Sequence, residues 1–198
     1  VFNGYKVTLE WDEAGSPDEW ENDAVFLVAD HQQFHVTRDG YSGRADEDER
    51  GEWEGRGYKV FPLSAHIHGG VVLQLGTPRG WDVGQVGWVL VKSDEVPDAE
   101  KAAESLLETW NQYLAGDVWW FQIEDNLGET VASVGGLYGE EEARAEAKAE
   151  AEALPEQVTG MLLFPDGSSL PAPPEVVQQM GAASAARITY VRNAEGGE

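Results

Sequence analysis

An α+β fold on a mainly antiparallel sheet is predicted by three features of the sequence. Short apolar runs of strand character recur between turn residues, two segments have helical spacing, and two strand runs follow the first helix with only a tight turn between them. The first strand lies in VFNGYKVTLEW, residues 1–11, which alternates apolar and polar side chains, and AVFLVA, residues 24–29, reads as a buried strand. Between them DEAGSPDEWEND is an acidic turn region, and residues 33–37 are a further strand. RADEDERGEWEGR, residues 44–56, sets six carboxylates against three guanidiniums around one tryptophan and is expected to be an acidic loop. Residues 58–92 hold three consecutive strand segments, YKVFPL, HIHGGVVLQL and GQVGWVLVK, with turn residues at Gly69, Gly70, Pro78 and Gly80.

PDAEKAAESLLETWNQYLAG predicts the first main helix. Ala103, Leu106, Leu107, Trp110, Tyr113 and Leu114 share one face, Pro97 stands near the start and Gly116 just past the end. DVWWFQIEDNLGETVASVGG is a hairpin turning at residues 126–128. EEEARAEAKAEAEAL is the second main helix and ends before Pro155; its inward positions are almost all alanine, so it is expected to lie loosely on the surface. Residues 165–167 mark a turn and LPAPPE a proline-rich break. The chain is accordingly divided into an acidic α+β domain, residues 1–157, and a small C-terminal appendage, 158–198, of hairpin, short helix and final strand RITYVR.

A chain of 198 residues with 41% apolar content and eight tryptophans can fold without staples, because a domain of this size buries roughly 70% of its unfolded surface. Cysteine is absent, which excludes disulfides, thiolate metal sites and cysteine nucleophiles. No apolar run approaches the ~20 residues of a membrane helix, and no signal-peptide pattern is expected at the start. Thirty-seven acidic residues against 13 basic ones, only five of them lysine, give a net charge of -24. That balance excludes direct binding to nucleic acid or an anionic membrane and favours a basic partner or a saline habitat. A compact chain of this length fills a sphere about 42 Å across. B-DNA, with one charge per ~1.7 Å, spreads the same charge over about 41 Å of duplex. Clustering therefore decides whether the charge imitates anything.

Catalytic and metal signatures fail on spacing. A calcium loop begun at Asp46 has Asp48 at its third position and Gly51 at its sixth, but Arg50 and Gly57 stand where the fifth and twelfth ligands belong. HQQFH, from His31 to His35, has the two-histidine spacing of zinc hydrolases; Gln32 replaces the glutamate base and the stretch is strand-like. His66 and His68 project to one side of a strand, and with Asp30 or Asp82 they carry an alternative reading as a small metal-dependent enzyme. Phosphate-binding glycine loop, dinucleotide fingerprint and nucleophile elbow are all missing from the sequence. No catalytic residue, metal ligand or cofactor is assigned. Trp119, Trp120 and Phe121 alternate across a strand as core residues; an exposed tryptophan among carboxylates would suit a protein interface instead.

The acidic residues stand in columns. On the second helix Glu142, Glu146 and Glu150 recur every four residues, about 6 Å apart along the axis, without a basic neighbour in the column. Glu140, Arg144, Lys148 and Glu152 form an adjacent, partly self-neutralised column. Glu100, Glu104 and Glu108 repeat the pattern on the first helix. With Asp46, Glu47, Asp48, Glu49, Glu52 and Glu54 in the acidic loop, these are the expected partner-binding carboxylates, above all the loop and the 142–146–150 column.

Three segments in fixed order, VFPLSAHIHGG, GWDVGQVGWVLVKSDEV and WNQYLAGDVWWFQIEDNLGETVASVGGLYG, carry a resemblance. The residues are Pro62, Leu63, His68 and Gly70; Trp81, Asp82, Gly84, Gln85, Val86 and Gly87; then Gln112, Tyr113, Leu114, Gly116, Asp117, Val118, Glu124, Asp125, Tyr138 and Gly139. Over residues 58–140 the chain resembles a family of small proteins encoded by bacteriophages and mobile elements. It departs from that family in having no cysteine, and in Ile67 where the family has aspartate before the histidine. The resemblance implies a phage or mobile-element setting and no particular activity. Within WDVGQVGW, glycines at 84 and 87 are read as permitting a tight approach before the strand holding Trp88 and Leu90, and Asp82 as capping the turn.

The expectation is a non-enzymatic, phage-type accessory protein of the host cytoplasm. It would act as a DNA mimic that inhibits a host defence enzyme of restriction or CRISPR type by occupying its basic groove, so its partner is a basic nucleic-acid-binding host protein. The alternatives are an acidic structural protein, halophilic or virion-associated, and the metal-dependent enzyme above.

Overall fold

The computed structural model describes residues 1–13, 15–19, 22–32, 34–38, 46–80 and 82–156, and the backbone of three strands at 158–163, 169–172 and 187–192. In chain order the elements are β1 (Lys6–Trp11), β2 (Val25–His31), β3 (Phe34–Val36), α1 (Glu47–Gly55), β4 (Tyr58–Ile67), β5 (Val71–Leu75), β6 (Val83–Lys92) and α2 (Ala99–Leu114). They continue with β7 (Val118–Glu124), β8 (Thr130–Tyr138), α3 (Glu140–Ala153), β9 (Val158–Leu163), β10 (Ser169–Ala172) and β11 (Arg187–Arg192). The class is α+β and the sheets are antiparallel. Contacts group the chain into two compact units, Gly15–Asp117 and the pair of segments Val1–Ala14 and Val118–Glu198.

The Gly15–Asp117 unit is a five-stranded sheet in the order β3-β2-β6-β4-β5 with a helix on each face. One face sends Leu27, Ala29, Val89 and Val91 against Ala103, Leu107 and Trp110 of α2. The other sends Phe26, Val28, Trp88 and Leu90 against Trp53 of α1. Double coverage explains why β2 and β6 read as unbroken apolar runs: a strand covered on both sides has no polar face to alternate with. Pro62 is tolerated inside β4 because the β5 pairing begins one residue later, at Leu63↔Leu75, and β4 shifts register against β6 between Leu63 and Ser64. Gly87 has its reason in β2, since a Cβ there would collide with the Val28 carbonyl. Gly84 has open space around its Cβ position, so close approach accounts for the second glycine of that pair and not the first.

The other unit packs α3 on a sheet in the order β1-β7-β8, with Tyr5, Phe121, Ile123, Ala147 and Ala151 at its core. The β7–β8 turn is held by Asp125, whose Oδ1 accepts from the N–H groups of Leu127 and Glu129 at 2.8 and 2.9 Å, and Gly128 takes φ +82°. Beneath Lys6, whose Nζ lies 2.6 Å from Oε2, the Glu124 carboxyl is held below the usual carboxylate range chiefly by that hydrogen bond. β9, β10 and β11 form a separate three-stranded sheet in the order β10-β9-β11.

Several expectations are corrected. Residues 47–55 are a helix and not a loop. Asp46 caps it by accepting from the Glu49 N–H at 2.8 Å, three acids stand in its first turn where the helix dipole favours them by ~0.3–1 kcal/mol each, and Gly57 closes it at φ +91°. α3 does not lie loosely: Ala143, Ala147 and Ala151 are fully buried, because a column of methyl groups lets a helix backbone settle onto the sheet at close range. HIHGGVVLQL is split by its two glycines between the end of β4 and all of β5. Leu170 to Ala172 of the proline-rich break belongs to β10, at a sheet edge where a missing N–H is tolerated. The short helix expected after it, and the turn at 165–167, lie outside the described residues.

Candidate functional site

The carboxylates singled out in the sequence fall on two helices, and the two are electrostatically unlike. On α1, Asp46 is spent on the cap and Glu49 is buried, with 8% of its surface exposed, which withdraws it from any display. Glu47, Asp48, Glu52 and Glu54 are exposed. Arg50 lies among them, its Nε 2.9 Å from Glu54 and Nη1 3.6 Å from Glu47, and Glu54 holds the guanidinium still more firmly protonated. Arg56 lies 4.3 Å over the ring of the fully buried Trp53. Much of the acidic stretch is thus helix start, ion pair and anchor; Asp48 and Glu52 remain outside these pairs.

On α3 the column Glu142, Glu146 and Glu150 is exposed along its length and enters no ion pair among the described residues. The column of Glu140, Arg144, Lys148 and Glu152, which lies beyond the buried alanines and not beside the first, neutralises itself as its spacing predicts: Arg144 reaches Glu140 at 2.6 Å and Lys148 reaches Glu152 at 3.7 Å. Three buried alanines, each next in sequence to a glutamate of the exposed column and so about 100° round the helix from it, pin the neighbouring face, and this acidic ridge stands on a fixed base. Glu100, Glu104 and Glu108 on α2 are also exposed. α1 and α2 cover opposite faces of one sheet, so their carboxylates do not merge into a single strip.

The histidines separate into pairs. His68 Nε2 lies 3.2 Å from Asp82 Oδ2, so Asp82 meets a histidine, and the His66 and His68 rings are 5.8 Å apart. His35 Nδ1 is 3.3 Å from Asp30. Among the described residues no three histidine or carboxylate side chains are grouped to hold a metal ion. Trp119 and Phe121 are core, as their strand position predicts, and Trp120 is half-buried. Among the described residues Trp11 is the exposed tryptophan set among carboxylates: 66% exposed between Glu10 and Asp12, it stacks on Trp119 at 4.3 Å.

The QYLAGDV residues form the end of α2. Gly116, at φ +72°, donates to Tyr113 O at 2.9 Å and Asp117 to Gln112 O at 2.8 Å, a Schellman closure that requires glycine for its left-handed residue. Trp81 lies outside the described residues. Two concavities flank α2. A cavity of about 420 Å³ is lined by Leu27, Val36, Leu106, Trp110 and Arg38 among others, and Arg38 is committed to Asp23 at 2.7 Å, to Asn22 O at 2.9 Å and to the Phe26 ring at 4.5 Å. A groove of about 750 Å³ runs between β5 and the C-terminal half of α2. Nothing in the sequence announced either. Among the described residues no helix is long and apolar enough to cross a membrane. In comparisons with protein-family models, curated proteins and solved structures, nothing matches this chain.

Proposed function

We propose that this is a non-enzymatic acidic accessory protein that occupies the basic groove of a nucleic-acid-binding partner in the manner of a DNA mimic. The observation that carries the reading is the α3 ridge: three exposed carboxylates at about 6 Å intervals on a helix anchored by buried Ala143, Ala147 and Ala151. A rigid line of like charge costs a few tenths of a kcal/mol per pair in isolation and is repaid where a basic groove awaits it. Such a groove, built for phosphates, attracts a carboxylate row with strong steering. The net charge of -24 supplies the long-range field. The phage-type resemblance supports a host defence enzyme, of restriction or CRISPR type, as the partner, met in the host cytoplasm.

A second reading, acidity as solvation in a halophilic or virion-associated structural protein, is favoured by α1, whose charges serve its own cap and ion pairs. Capture from bacterial lysate at low salt separates the two. Mimicry expects a nucleic-acid-binding enzyme that is released by added duplex DNA and is no longer held by E142Q/E146Q/E150Q. If nothing is eluted by duplex, or the triple variant holds the same enzyme equally well, the mimic reading is wrong.

A further inference from the structure

We propose that the groove between β5 and α2 is a docking site for an extended, arginine-bearing segment of a partner protein. The groove runs along β5, the outermost strand on this side of the five-stranded sheet, and has a volume of about 750 Å³. Leu73, Leu75 and Leu107 supply an apolar floor, and Glu104 and Glu108 stand on successive turns of α2 as its acidic wall. Neither glutamate enters an ion pair among the described residues, and none of the described lining residues is lysine or arginine. Charge complementarity therefore selects a cationic occupant. The apolar floor selects one whose charge sits on an aliphatic stem that can lie along it. Two carboxylates about 6 Å apart are better spanned by the forked, five-donor guanidinium than by a compact ammonium.

Asn111 decides how the segment docks. An edge strand ordinarily offers its unpaired N–H and C=O groups to an incoming strand. Here the Leu73 N–H donates to Asn111 Oδ1 at 2.7 Å, and Asn111 Nδ2 donates to the Leu73 carbonyl at 3.0 Å. One carboxamide thus fills the central main-chain pair of the edge. Strand addition is blocked at Leu73 and recognition falls to side chains. The same two bonds fix α2 against β5, so the groove is formed before anything enters it and less ordering is required on binding.

The test uses the full chain and a blocked pentapeptide, leucine-arginine-leucine-arginine-leucine, with an otherwise identical peptide carrying citrulline for arginine. Affinity is measured by calorimetry and the contact located by amide NMR shifts. The arginine peptide is expected to shift the Leu73 N–H and the Asn111 side-chain amide. Both the citrulline peptide and E104Q/E108Q are expected to weaken binding by about tenfold or more, and E142Q/E146Q, which removes the same charge elsewhere, by no more than about twofold. Equal loss in the two double variants would reduce the binding to general electrostatics and overturn the site, as would an absence of shifts at Leu73 and Asn111. The α3 ridge enters this assay only as the charge control and duplex release is not read in it, so the groove and the mimicry stand or fall separately.

Discussion

α1 and α3 carry similar densities of carboxylate and are held down by opposite means. α1 drives one large side chain, Trp53, completely into the face of its sheet and packs Phe26 and Tyr58 edge-on around it, with ring centroids at 5.4 and 5.3 Å. α3 has no large anchor and instead buries three methyl groups in a row. In α1 the acids are partly consumed at home by Asp46's cap and by Arg50; in α3 the 142–146–150 column is left to solvent. Acidic composition alone does not distinguish a helix that uses its charge to exist from one that displays it. What distinguishes them is the partner each carboxylate finds.

That contrast can be broken most forcefully at Trp53. Trp53→Ala should cost about 3–5 kcal/mol, the range for emptying a fully buried aromatic site, read as a lowered midpoint in urea unfolding; a loss under ~1 kcal/mol would mean that α1 is not anchored there. Next comes Ala147→Leu, which forces a larger side chain under α3 and should destabilise by about 1–3 kcal/mol. A neutral result would restore the loosely resting helix expected from the sequence. The smallest effect is expected at Asp46→Ala, about 1 kcal/mol from the lost cap, visible in hydrogen exchange of the Glu49 amide. Unchanged protection at Glu49 would assign the start of α1 to something other than its cap.

The legible parts of the fold are those whose signal is local and apolar. α2 announced itself through Ala103, Leu107 and Trp110 on one face, and the β7–β8 hairpin through its Asn126–Leu127–Gly128 turn. α1 was hidden because its one apolar anchor gives no periodicity, while its polar signals were those of a helix: Asp46 and Glu49 stand at capping-box spacing and Gly57 follows the last turn. The ridge on α3 was visible in the sequence because an i, i+4 column is a property of the helix itself. The burial of Glu49 and the separation of α1 from α2 by a sheet were not, since both depend on residues far away in the chain. The Asn111 contact with Leu73 is of the same kind, a pairing across 38 residues that neither partner signals.

Asn111 also sets a chemical lifetime for its sheet edge. A carboxamide works there because it holds a donor and an acceptor at once, the two faces of a peptide group. Deamidation would leave a carboxylate, and the oxygen replacing Nδ2 would confront the Leu73 carbonyl 3.0 Å away, lone pair against lone pair. Ageing at this single nitrogen would release the Leu73 carbonyl while the Leu73 N–H still found an acceptor, opening half of the main-chain pair that the carboxamide closes.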